Sequence, residues 1–233
     1  QETDLNRIIT PTSRDFDEFV GVNVSTADFR AGEQIRVIDL LYGLLLKSAC
    51  EAGNILADYY GGGDIQAFVK KMNEKAKEIG ATNTNFVNPH GLDAPGEYST
   101  AKDLYKITAY ALTVDHFKDI ACSPSYEAAA TNVHEARTFD HTNNMVHQGE
   151  SYYAPVKGIK TGTTDSAGKN LVTMASKGGF NYLLVVLNSP YAGAGSPNLS
   201  YTDTKNLYEW AFNNFEYNTV LKSTDTVSTT KVR

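Results

Sequence analysis

Hydrophobic positions are unevenly distributed along the chain. Val37-Ile38-Asp39-Leu40-Leu41-Tyr42-Gly43-Leu44-Leu45-Leu46 is apolar on nearly every side, which predicts a core helix, because a helix without a polar stripe has no face to offer water. The helical reading extends through Ser48 toward Leu56 and Ala57. Gly61-Gly62-Gly63 breaks it, and Asp64 is placed to cap a helix carrying Ile65, Phe68, Val69, Met72, Ala76 and Ile79, which ends at Gly80. Asn83 to Glu97 is rich in Asn, Pro and Gly and reads as a long structured loop. Ser99 or Thr100 caps the next predicted helix, through Leu104, Ile107 and Ala111, and another covers His116 to Ala121. From Ser123 to Ala154 the periodicity is poor. Strand signals return in Asn170 to Ala175 and Phe180 to Leu187, which flank the turn Ser176-Lys177-Gly178-Gly179. An amphipathic helix follows over Thr204 to Phe215, and Thr219 to Arg233 reads as the start of a strand. This order predicts an α+β fold with helices packed against an antiparallel sheet, not an alternating βαβ chain.

The 233 residues carry Lys+Arg 21 against Asp+Glu 27, a net charge of −6. No broad basic face is available for phosphates, so nucleic acid is not an expected partner. The longest apolar stretch, Leu40 to Leu46, is about a third of the roughly 20 residues a membrane-spanning helix needs. Gln1 opens the chain without Met or a signal-type apolar segment, so a cleaved leader or a missing N-terminal part is expected. Cys50 and Cys122 allow at most one internal bridge and fit no CxxC pattern. The five histidines lack paired ligand spacing, so no metal or cofactor is expected, and His90 reads as a loop hydrogen-bonding residue.

Two short stretches carry chemistry. Gly158-Ile159-Lys160-Thr161-Gly162-Thr163-Thr164 combines small residues, which let a ligand backbone lie close, with a fixed positive charge and hydroxyl donors. Taken alone it reads first as an edge strand with an exposed Lys. Ser48-Ala49-Cys50 sits at the polar end of the buried helix, where Ser48 either satisfies a local carbonyl or serves a site.

Taken together these residues resemble the serine D-alanyl-D-alanine carboxypeptidases, low-molecular-weight penicillin-binding proteins of the β-lactamase/transpeptidase-like fold. The resemblance rests on Ala31-Gly32-Glu33 with Asp39-Leu40-Leu41-Tyr42-Gly43, on Asn88-Pro89-His90-Gly91-Leu92 with Tyr98-Ser99-Thr100-Ala101-Lys102-Asp103-Leu104, and on Val156 through Leu171. It implies an acyl-enzyme formed by a serine on peptidoglycan stem peptides ending in D-Ala-D-Ala, trapped by β-lactams. On that resemblance Ser48 relays protons toward Lys160, and Lys160 and Thr161 hold the substrate carboxylate. Thr163 lends a backbone N–H to the oxyanion hole, and Cys50 and Gly162 line the substrate site. The implied location is extracytoplasmic, with membrane association through a segment not present here.

Three departures stand out. The family's Ser-x-x-Lys nucleophile motif is expected before Arg30 and is not found there, so the penicillin-binding domain, 1–217, is read as N-terminally incomplete. Three copies occur elsewhere and read as decoys: Ser99-Thr100-Ala101-Lys102 starts a helix inside the family's post-loop block, Ser166-Ala167-Gly168-Lys169 lies in the turn after Lys-Thr-Gly, and Ser228-Thr229-Thr230-Lys231 lacks the buried helix that the motif needs after it. Cys50 stands where the family usually has Asn, and a thiol is a weak donor and acceptor; Asn54, one turn later, is the candidate substitute. Asn188-Ser189-Pro190 carries no Arg to assist with the carboxylate. Residues 218–233 are read as the start of a small β-rich domain or linker. The competing readings are a peptidoglycan-binding pseudo-enzyme and a fragment that completes its fold against another polypeptide.

Overall fold

The computed structural model of the chain describes residues 4–191, 195 and 197–216; the expected second domain at 218–233 lies outside them. β1 (Ile8–Ile9) pairs antiparallel with β2 (Ile35–Arg36), which runs directly into α1 (Val37–Leu46). The single long helix expected from the sequence is two. α1 stops at Leu46 and α2 (Cys50–Gly61) starts afresh. The Lys47 and Ala49 N–H groups both bond the Gly43 carbonyl at 3.1 Å, and Ser48 between them takes a left-handed φ of 59°. A non-glycine residue held there costs about 1–3 kcal/mol. Apolar periodicity is blind to such a break, because it continues across the corner.

α3 (Ile65–Glu78) is capped as expected, with Asp64 Oδ1 accepting from the Gln66 N–H at 2.8 Å and the Ala67 N–H at 3.2 Å. The long loop after it is closed by an antiparallel bridge between Asn85 and Tyr98. Of the two candidate caps, Thr100 is the one that begins α4 (Ala101–Ala111), accepting from the Asp103 N–H at 3.1 Å. α5 (Phe117–Ala121) follows.

The stretch without periodicity contains a hairpin, β3 (Ser125–Ala128) with β4 (Arg137–Asp140). Each strand has four residues and buries only one of them, Ala128 or Phe139, too short a run for alternation to show. The hairpin packs on α1: Tyr126 stacks on Tyr42 at 3.6 Å, and Phe139 meets Phe29 edge-on at 5.8 Å. Leu40, Leu46, Ala52 and Ile55 complete this core.

β5 (Val156–Thr164), β6 (Gly168–Lys177) and β7 (Phe180–Ser189) form an antiparallel sheet in that order. α6 (Leu199–Asn214) covers it, beginning five residues before the expected Thr204 because Asn198 is the cap. Its buried Tyr208 donates to the Thr173 carbonyl at 2.9 Å. A small core of Ala121, Ile159 and Met174, with Leu45 against it, joins sheet and helices. Gly158 lies at this junction. At φ 128°, a Cβ there would sit 2.3 Å from the Ala121 carbonyl oxygen. The room that the sequence reading assigned to a ligand beside Gly158 is filled by the end of α5.

Candidate active site

The corner between α1 and α2 and the strand β5 meet at two side chains. The left-handed backbone of Ser48 turns its hydroxyl to Lys160, whose Nζ donates to Ser48 Oγ and, at 2.8 Å, to the Thr161 carbonyl. Burial pushes the Lys160 ammonium down to about 8, with Cys50 opposing. The charged form is disfavoured because few solvent dipoles reach it. At pH 7 the ammonium still predominates by about ten to one, so Lys160 is both a positive charge and an accessible proton donor.

The remaining expected residues divide. Thr161 is half-buried and its hydroxyl lies 2.6 Å from Thr142 Oγ1. Gly162 and Thr163 are exposed, and a Cβ on Gly162 would meet nothing nearer than Asn170 Cβ at 4.0 Å. β5 pairs only with β6, so among the described residues its other edge has no strand partner, and its exposed part, Gly162 and Thr163, is where an extended ligand could add. Cys50 is buried instead of lying on this open surface; its N–H bonds the Ser25 carbonyl at 2.9 Å, and Sγ is 3.8 Å from the Ser48 carbonyl. Burial, then the charge of Glu51, pushes its thiol up. Asn54 does not substitute for it: its amide is buried against the N-terminal segment, bonding the Asp15 carbonyl and Glu18. The serines of two decoys are engaged elsewhere. Ser99 Oγ is 2.9 Å from Thr84 Oγ1, and Ser166 Oγ donates to Asp93 at 2.6 Å. Ser228 lies outside the described residues.

Three contributors were not found in the sequence. Asp93 accepts from Thr164 and Ser166 through its two oxygens, fastening the 83–98 loop to the β5–β6 turn beside a groove of about 730 Å³. His141 is buried beside β5, and Thr142 follows it. The polar run Asp140-His141-Thr142-Asn143-Asn144 was the only available cue, and it reads as an ordinary loop. Among the described residues no group of three or more His, Cys, Asp or Glu side chains is arranged to hold a metal, and no helix is long and apolar enough to cross a membrane.

The family model for D-alanyl-D-alanine carboxypeptidases, peptidase S11, matches residues 5–191. The chain belongs to this family. Two carboxypeptidase relatives are DacC of Escherichia coli (strain K12), 35% identical over 87% of this chain and 47% of the relative, and DacF of Bacillus subtilis (strain 168), 31% identical over 87% and 49%. The chain therefore spans about half the length of these curated relatives. The crystal structure of the Streptomyces K15 DD-transpeptidase superimposes with a TM-score of 0.80 at 28% identity, covering 91% of this chain and 81% of that one. The Mycobacterium tuberculosis H37Rv D-alanyl-D-alanine carboxypeptidase gives 0.77 at 28% identity, covering 98% and 80%. The expected α+β carboxypeptidase fold is thus the observed one. Solved variants of the K15 enzyme replace a serine and a cysteine two positions apart, the spacing of Ser48 and Cys50.

Proposed function

We propose that this chain carries the carboxylate-binding and proton-relay side of a serine-type D-Ala-D-Ala carboxypeptidase that trims peptidoglycan stem peptides outside the cytoplasmic membrane. The observation that supports it best is the contact of Lys160 with Ser48 at the open edge of β5. An extended peptide adds along β5 through backbone hydrogen bonds, and its terminal carboxylate is drawn to Lys160 and the Thr161 hydroxyl. A serine oxygen attacks the carbonyl between the two D-alanines and gives its proton to the neighbouring lysine. The nucleophile is assigned to the family's Ser-x-x-Lys element, which has no counterpart beside Lys160 among the described residues. The Thr163 N–H faces the oxyanion that forms. When the C–N bond breaks, the leaving amine takes a proton through Ser48, which Lys160 replenishes, and the proton that the neighbouring lysine took from the nucleophile passes back to Lys160. Water then cleaves the acyl ester, and a β-lactam stops the cycle at that ester. Membrane association belongs to the whole protein.

Intact-mass measurement of the gene product that carries these residues, before and after incubation with a penicillin, tests the reading. One stoichiometric adduct is expected. An unmodified mass at saturating drug, with peptide binding still dependent on Lys160, would replace the enzyme with a peptidoglycan-binding protein.

A further inference from the structure

The strand end at Asn188-Ser189 brings no cation to the carboxylate site. Ser189 is buried, and the Asn188 N–H is spent on Asn170 Oδ1 at 2.9 Å. A carboxylate offers two oxygens with about four lone-pair directions; two of the three Lys160 N–H donors are spent on Ser48 Oγ and the Thr161 carbonyl, so Lys160 and the Thr161 hydroxyl bring it only two donors. The structure assigns the missing donor to Thr142: we propose that its hydroxyl, together with that of Thr161, forms a two-hydroxyl clasp for the terminal carboxylate of the ligand. This rests on the reading of Lys160 and Thr161 as the carboxylate site, and adds to it a residue that decides between acid and neutral chain ends.

The geometry supports a clasp more than a simple packing contact. Thr142 and Thr161 Oγ1 atoms are 2.6 Å apart, and Thr142 is exposed although His141 and Asn143 on either side are 2% and 0% exposed. Its backbone is held from two directions. The N–H bonds the Leu46 carbonyl at 3.0 Å, just before Ser48, and the carbonyl accepts from Tyr201 Oη at 3.4 Å. The flanking residues are fixed too: His141 Nε2 is 3.2 Å from the Ala121 carbonyl, and Asn143 Oδ1 accepts from the Met145 N–H at 3.0 Å. Within 141–143 the Thr142 side chain is thus exposed between two buried, hydrogen-bonded neighbours, an arrangement that lowers the entropy cost of binding.

Hydroxyl bookkeeping gives the chemistry. Two hydroxyls carry two protons, and their mutual bond uses one. The second is left for a ligand, and when an anion arrives, both protons rotate onto it. The Lys160 ammonium, bonded to the Thr161 carbonyl, supplies the charge that such short charge-assisted bonds need. An amide-terminated ligand meets the same hydroxyls without the charge and gains little from the pair.

The test titrates a diacetylated tripeptide ending in D-Ala-D-Ala, as free acid and as C-terminal amide, into the full chain and into its Thr142→Val, Thr142→Ser and Lys160→Met variants, followed by NMR. In the unaltered chain the acid is expected to bind better than the amide. Thr142→Val should weaken the acid at least fivefold and leave the amide within twofold, while Thr142→Ser retains the acid preference. Unchanged acid binding in Thr142→Val, with a loss in Lys160→Met, would overturn the clasp and leave the Lys160 reading standing. Equal loss of acid and amide in Thr142→Val would mean a purely structural bond and also overturns it. No acid preference in the unaltered chain overturns the clasp and the reading beneath it together.

Discussion

Lys160 Nζ donates to Ser48 Oγ although 112 positions separate the two residues. Each partner is placed by a local feature with its own cost. Ser48 occupies a left-handed corner where two helices fail to join, and Lys160 carries its ammonium into a site where burial brings it down to about 8. Neither arrangement favours stability by itself. Strain and a desolvated cation held together by the rest of the fold mark a site shaped for chemistry.

The first expectation concerns that cation. In the unfolded chain Lys160 titrates near 10.5, so between pH 8 and 10.5 the unfolded state binds more protons than the native state, and stability from this group rises with pH. Below pH 8 the burial penalty is fully present. Urea unfolding of the unaltered chain and Lys160→Met is expected to show the difference moving in favour of Lys160 across that window. A flat difference would mean that the ammonium is not perturbed.

Gly158 and Gly162 both flank Lys160, yet alanine should act differently at each. At Gly158 the added Cβ meets a backbone carbonyl at 2.3 Å on a chain with φ 128°, so a loss of at least about 3 kcal/mol is expected. At Gly162 the nearest atom is 4.0 Å away, and the expected change is within about 1 kcal/mol. Equilibrium unfolding in urea reads both, and equal effects would contradict the packing of α5 on β5.

These two glycines also mark how far the sequence could be read. The Lys160-Thr161-Gly162 strand, the α3 helix with its Asp64 cap and the β6–β7 hairpin were legible, because each rests on local composition and spacing. The corner at Ser48 was not, since apolar residues run on through it. The β3–β4 hairpin was hidden by its brevity. Thr142 was invisible for a different reason: its meaning lies in a contact with Thr161 across 19 residues, and nothing in the local pattern of a polar loop distinguishes one hydroxyl from its neighbours. Gly158 carried a correct signal for small size with the wrong cause attached.

Burial raises both the Cys50 and the Cys122 thiols above their ordinary range, so neither is a ready thiolate near neutral pH. Alkylation of Cys50 at pH 7.5 is expected to be more than tenfold slower in the folded chain than in denaturant, as read by peptide mass spectrometry. Cys50→Asn introduces a larger polar group at a position only 4% exposed and should cost about 1–3 kcal/mol through overpacking. Rapid alkylation in the native state would place the sulfur at the open surface.

His141 gives the chain an acid limit. Its Nδ1 accepts from the Asn143 N–H at 3.0 Å, so the proton resides on Nε2, which donates to the Ala121 carbonyl at 3.2 Å. Protonation would set a second N–H against that of Asn143. Burial first, with the charge of Lys160 among the other causes, holds the imidazole down to about 4. Because the unfolded chain takes up this proton near 6.5, stability from His141 is fully present above pH 6.5 and is lost as pH falls toward 4. A loss on the order of 2 kcal/mol between pH 7 and pH 5 follows from the width of that window. His141→Gln should be less stable at pH 7 and show a shallower decline with acid, measured as urea midpoints at the two pH values. An identical decline in both proteins would assign the acid sensitivity to another group.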